Sequence, residues 1–97
     1  MIELAALVAD HFRPLVGEPF ALEVGGDTVE ARLVEVDEAP SGPPGFRRPF
    51  LVAFAVPSGT PLAQGTFPLA HPAIGRHELF MTARPGPDGG LYEAVFG

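Results

Sequence analysis

Apolar residues recur at two different periods along this chain. Between Leu4 and Leu15 they fall every third or fourth position, at Leu4, Leu7, Val8, Phe12 and Leu15, which is the spacing of one helix face. This predicts a short helix over 4–12. Pro14 ends it, because the residue before a proline is pushed away from helical geometry. A helix of about ten residues is marginal alone, so its stripe must dock on something. Phe12 is expected to plug one end of a sheet.

Beyond Gly17 and Pro19 the period drops to two. Phe20, Leu22 and Val24 alternate with Ala21 and Glu23, and Val29, Ala31 and Leu33 alternate with Glu30 and Arg32. Gly25-Gly26-Asp27 between them reads as a hairpin turn. After Leu33 the phase slips, and Val34 and Val36 become the apolar set around Glu35. One extra residue at Leu33-Val34 predicts a β-bulge that bends the strand. Asp37 to Pro49 is a long loop, because its prolines and glycines exclude helix and central strand. Phe50 to Val56 is apolar throughout and is expected to be a central strand covered on both faces. Gly65 to Leu69 reads as a short strand at an edge or bulge, since it contains Pro68. Arg76 to Ala83 and Leu91 to Phe96 complete the set, joined by a hairpin loop over Pro85 to Gly90.

One short helix and six strands joined by short connections predict a mainly β chain with antiparallel pairing. The fold class expected is a six-stranded antiparallel barrel or roll, capped by the N-terminal helix, in a single domain over 1–97. Closing the sheet on itself is the simplest way to remove its edges. Phe20, Phe50, Phe54, Phe67, Phe80 and Phe96 are expected to fill the interior.

Composition narrows the function classes. The chain has 97 residues, six basic against twelve acidic, and a formal charge of −6. An acidic surface repels phosphate backbones, so no nucleic-acid partner is expected. Lys, Cys, Asn and Trp are absent, which removes disulfides, thiolate zinc sites and cysteine nucleophiles. No stretch has the run of apolar residues that a membrane span needs, so no membrane partner is expected. The start Met-Ile-Glu-Leu lacks the features of a signal peptide, and a location in the cytoplasm or in an assembled particle follows as the expectation. The apolar fraction of 46% and mean hydropathy of +0.23 are high for a small domain. They imply a well-supplied core or an apolar patch covered by a partner.

A run in the second half carries a resemblance. It reads Pro61-Leu62-Ala63-Gln64-Gly65-Thr66-Phe67-Pro68-Leu69-Ala70-His71-Pro72, then Ile74-Gly75, Leu79-Phe80 and Gly90-Leu91-Tyr92-Glu93-Ala94-Val95-Phe96. Phe12-Arg13-Pro14-Leu15-Val16-Gly17 before Phe20 adds to it. The chain resembles a family of small bacterial domains of unknown function, over nearly its whole length. Thr82-Ala83-Arg84-Pro85 departs from that pattern, which expects a more apolar stretch there. The resemblance implies no activity, cofactor or catalytic residue. It implies an association with phage-tail-like or adhesin-like assemblies.

Candidate chemistry is sparse. His71 and His77 flank a turn and His11 is remote, which is not a known metal-ligand spacing, so no metal site is expected. His71 is read instead as bonding to the backbone of the turn before Pro72. Ser41 and Ser58 sit in Pro/Gly turns without a nucleophile elbow. Glu30 and Glu35 are expected on opposite faces unless the bulge rephases them, and a paired-carboxylate hydrolase needs two converging acids. No catalytic residues and no cofactor are assigned. The polar motif Gln64, Thr66 and His71 is read as structural, with Gln64 satisfying edge backbone and Gly65 in a glycine-only conformation. Phe46, Arg47 and Arg48 on the long loop combine an aromatic with arginines, the composition of interface hot spots. The function expected is a non-enzymatic interaction or assembly module whose partner is another protein or a second copy. The alternative is a small barrel that binds a ligand or acts as an enzyme in its mouth.

Overall fold

The first hairpin forms where alternation and glycines agree. Phe20, Leu22 and Val24 point inward on β1 (Pro19–Val24), and Gly25 and Gly26 lead into β2 (Asp27–Glu38) with φ of 63° and 82°. Two successive positive φ values match the twist of a two-residue hairpin, and glycine adopts them without steric cost. The structure is a computed structural model and describes residues 2–42, 44–45, 47–86 and 88–97.

Four further strands follow: β3 (Phe50–Val56), β4 (Gly65–His71), β5 (Gly75–Gly86) and β6 (Gly89–Phe96). They close into a six-stranded antiparallel barrel in the order β1-β2-β3-β6-β5-β4. The bulge in β2 is present. Leu33 pairs with Phe54 and Glu35 with Ala53, leaving Val34 as the extra residue. Val34 is exposed, so it does not join the inner apolar set as expected. The inward phase resumes only at the half-buried Val36. The bulge also turns both Glu30 and Glu35 outward.

The barrel consists of two meanders of the same plan, β1-β2-β3 and β4-β5-β6, joined along β1–β4 and β3–β6. The middle strands β2 and β5 each have 12 residues. Each bends from one partner to the next. β2 pairs with β1 over 27–32 and with β3 over 32–38, while β5 pairs with β4 over 75–81 and with β6 over 82–86. β4 is longer than expected, and it pairs on both sides. Its seam with β1 is confined to Ala21–Ala70 and Leu22–Leu69. The next position on β4 is Pro68, which has no N–H to donate.

Side chains fill the interior. Phe20, Leu22, Leu33, Phe54, Leu69, Met81 and Tyr92 are each at most 1% exposed. Among the described residues, no buried side-chain polar atom lacks a hydrogen-bond partner. Phe80 departs from the expected set of inner phenylalanines. It alternates with the buried Leu79 and Met81 and so faces out. Phe67 is only partly buried.

The N-terminal segment is not one helix over 4–12. It is a 3-10 turn (Leu4–Ala6), a single α-helical turn α1 (Ala9–Phe12) and a second 3-10 turn (Arg13–Leu15). Leu7 and Val8 between the first two are extended. Burial explains the break. Leu7, Ala9, Phe12 and Leu15 are buried while Leu4 is exposed, so the segment follows the barrel rim instead of presenting one straight stripe. Phe12 does plug the barrel end. Its ring lies 6.3, 5.8 and 5.7 Å from the rings of Phe20, Phe50 and Phe96. Burying such a ring contributes about 1.5–3 kcal/mol. Among the described residues, no helix is long and apolar enough to cross a membrane.

Candidate interaction surface

The residues singled out from the sequence do not converge. Thr66 faces outward near the start of β4, and His71 ends the same strand. Gln64 is exposed in the connection before it. Gly65 does not have a glycine-only backbone conformation. Its constraint is contact, because a Cβ there would lie 3.2 Å from the Phe67 ring.

His71 has the turn role expected of it. Its Nδ1 accepts the Ala73 N–H at 3.0 Å, which leaves the proton on Nε2, 2.8 Å from a Glu18 carboxylate oxygen. The ring also packs on Phe20, with centroids 4.7 Å apart. Both nitrogens are therefore occupied. His77 is buried, with Nε2 donating to the Ile74 carbonyl at 2.6 Å, and His11 accepts the Val8 N–H at Nδ1. Among the described residues, no group of three or more His, Asp or Glu side chains is placed to hold a metal ion.

The long loop distributes its candidates differently. Phe46 lies outside the described residues. Arg48 is exposed, 4.0 Å from Glu38. Arg47 turns inward along the barrel end. Its Nη1 donates to the carbonyls of Leu7 at 2.6 Å, Ala5 at 3.2 Å and Leu4 at 3.3 Å, and its Nε donates to the Gly97 main-chain oxygen at 3.2 Å. The guanidinium also sits over the Phe50 and Phe96 rings, 5.9 and 5.4 Å from their centroids. The last turn of a helical segment leaves carbonyls without an intrahelical partner, and a guanidinium offers several donors in one plane. Arg47 thus ties the N-terminal segment to the end of β6.

Sequence reasoning missed a place where the barrel wall opens. Thr82 pairs with Glu93, but the β5–β6 ladder stops there. Continuing it would pair Phe80 with Val95 and Leu79 with Phe96, yet those residues pair only with β4 and β3 on their other sides. β5 and β6 therefore diverge, and a groove of about 370 Å³ opens between Glu78–Phe80 and Ala94–Gly97, with Leu4 and Arg47 at one end. Its flanks are Phe80, 57% exposed, and Val95, 72% exposed. Its floor is Leu79, Ala94 and Phe96. The available signal was Phe80 and Val95 themselves, apolar residues at outward positions of strands whose neighbours there are Glu78, Thr82 and Glu93.

The rim beside the groove is charged. Glu93 binds Arg84 through both carboxylate oxygens, at 3.2 and 3.3 Å. Those hydrogen bonds, with the charges of Glu93 and Glu35, raise the Arg84 pKa. Glu78 is exposed, with no ion-pair partner among the described residues.

A family model described as Domain of unknown function (DUF6916) matches residues 7–96. The chain belongs to this family. The matched span begins at Leu7, the first buried residue among those described in the N-terminal segment, and ends at Phe96. The DUF6916 domain thus includes the Phe12 plug, all the strands and the groove apart from Leu4 and Gly97. No curated protein and no solved structure matches the chain.

Proposed function

We propose that this DUF6916 domain is a non-enzymatic protein-interaction or assembly module and that the β5–β6 groove is its contact surface. The observation that carries this reading is the pair Phe80 and Val95, apolar, exposed and adjacent across a break in the barrel wall. Exposed apolar residues gathered at one place mark interaction sites more often than scattered ones do. The filled interior also supports it, since a ligand-binding barrel needs an empty centre. Arg47 and Arg48 then act chiefly on the fold, and the contact surface moves from the long loop to the barrel wall. Membership of a phage-tail-like or adhesin-like assembly is part of the proposal and rests on the family resemblance alone.

The test compares the wild-type domain with a Phe80→Ser/Val95→Ser variant by sedimentation at high concentration and by pull-down from the native host. Both substitutions are on the outer face, so the melting temperature should be little changed. Association should weaken in the variant. A wild-type domain that is strictly monomeric and recovers no partner would falsify the interaction reading.

A further inference from the structure

The groove differs from an ordinary apolar patch in what forms its walls. Along Glu78–Phe80 the β6-facing edge of β5 has no strand beside it, and along Ala94–Phe96 the same holds for the β5-facing edge of β6. An unpaired strand edge presents a row of N–H and C=O groups that can template another strand. Here two such edges face each other across an apolar floor. We propose that the groove accepts a single extended segment of a partner protein, inserted as a strand between β5 and β6. This rests on the interaction reading above and names the kind of partner.

Three features select that occupant. Main-chain groups line both walls, and they recognise extended backbone, whereas small-molecule sites converge side-chain polar groups on one point. The wedge closes at Thr82–Glu93, so the space for one strand lies between Glu78–Phe80 and Ala94–Phe96, with Leu4 and Arg47 at its wide end. Charge points the same way. The chain carries −6, which repels a second copy. Glu78, with no ion-pair partner among the described residues, attracts a Lys or Arg of the segment beside it. Arg47 also lines the groove but is engaged by the carbonyls of Leu4, Ala5, Leu7 and Gly97. The strand period then sets the pattern of the segment. Apolar side chains at alternate positions face Leu79 and Phe96, and the others, outward beside Phe80, Val95 and Glu78, include basic residues.

The test uses defined peptides of about eight residues, a typical strand length, titrated into the isotope-labelled domain and followed by NMR. One alternates Val with Lys, a second replaces Lys by Glu, and two more carry N-methyl groups on alternate amides of the Val/Lys peptide in either register. The Val/Lys peptide should shift resonances at Glu78–Phe80 and Ala94–Phe96 and slow amide exchange there. At least one N-methylated peptide and the Glu peptide should bind about tenfold or more weakly, because each loses main-chain hydrogen bonds or charge complementarity. Raised salt should weaken the Val/Lys peptide. Equal binding by both N-methylated peptides overturns strand insertion while leaving an apolar contact at Phe80 and Val95 standing. Shifts that miss both edges also overturn it. Changes at the same residues on simple dilution, without peptide, assign the groove to a second copy and overturn the proposal.

Discussion

Tyr92 tests whether the connection between the two meanders is held by one hydroxyl. The side chain is fully buried on β6, and its ring meets Phe67 edge-on at 5.6 Å. Its hydroxyl donates to the Pro61 carbonyl at 2.6 Å and accepts the Ala63 N–H at 3.2 Å. It therefore pins the crossover from β3 to β4, while Leu62 between those two residues packs directly on Gly90. Tyr92→Phe keeps the ring and removes both bonds. Each intramolecular hydrogen bond contributes about 1 kcal/mol net, and leaving a buried partner unpaired costs about 1–3 kcal/mol. Pro61 and Ala63 are themselves exposed, so water can reach the freed groups, and the lower part of that range applies. A loss of about 1–2 kcal/mol lowers the melting temperature of a domain this size by about 4–16 °C. Thermal unfolding followed by circular dichroism gives the shift, and amide exchange at Ala63 should quicken. If the melting point stays within about a degree and exchange at Ala63 is unchanged, the hydroxyl does not hold the crossover.

Two further outcomes follow from the packing. Phe54→Ala removes a fully buried ring that meets Phe20 at 5.0 Å, and should cost about 3–5 kcal/mol, a large share of the roughly 5–15 kcal/mol typical of whole domains. A variant that melts with the parent in denaturant would contradict the placement of Phe54 in the core. Arg47→Ala should cost about 1.5–3 kcal/mol through its charge-assisted bonds, concentrated in the N-terminal segment. Limited proteolysis should then cut before Ala9 faster than in the parent, and an unchanged cleavage rate there would refute the tie.

The barrel was legible because alternation, glycines and prolines agreed at each turn. Phe20-Leu22-Val24, Gly25-Gly26 and the phase slip at Leu33-Val34 each have one physical reading, and the register of β2 against β3 follows it. Leu4, Leu7 and Phe12 keep helical spacing, which points to one helix, although Leu7 and Val8 are extended. Spacing cannot reveal a rim that the chain must follow. The bonds of Arg47 were not legible, because its carbonyl partners at Leu7 and Gly97 lie far away in the sequence. The groove was hidden for a similar reason. Phe80 and Val95 look like ordinary strand residues until the two strands that carry them are seen to part.

The two-meander plan also has consequences for how the chain reaches its fold. The hairpins within each half join near neighbours, but both closures join distant stretches, Phe50 with Phe96 and Ala21 with Ala70. Bringing such stretches together costs loop-closure entropy before any burial offsets it. High contact order of this kind puts refolding in the range of roughly milliseconds to seconds, and microsecond refolding would count against the topology. Until the halves meet, Phe20, Phe54 and Tyr92 have no opposing wall, and each meander exposes unpaired strand edges to other chains. The −6 charge then opposes contact between unfinished chains until the barrel closes.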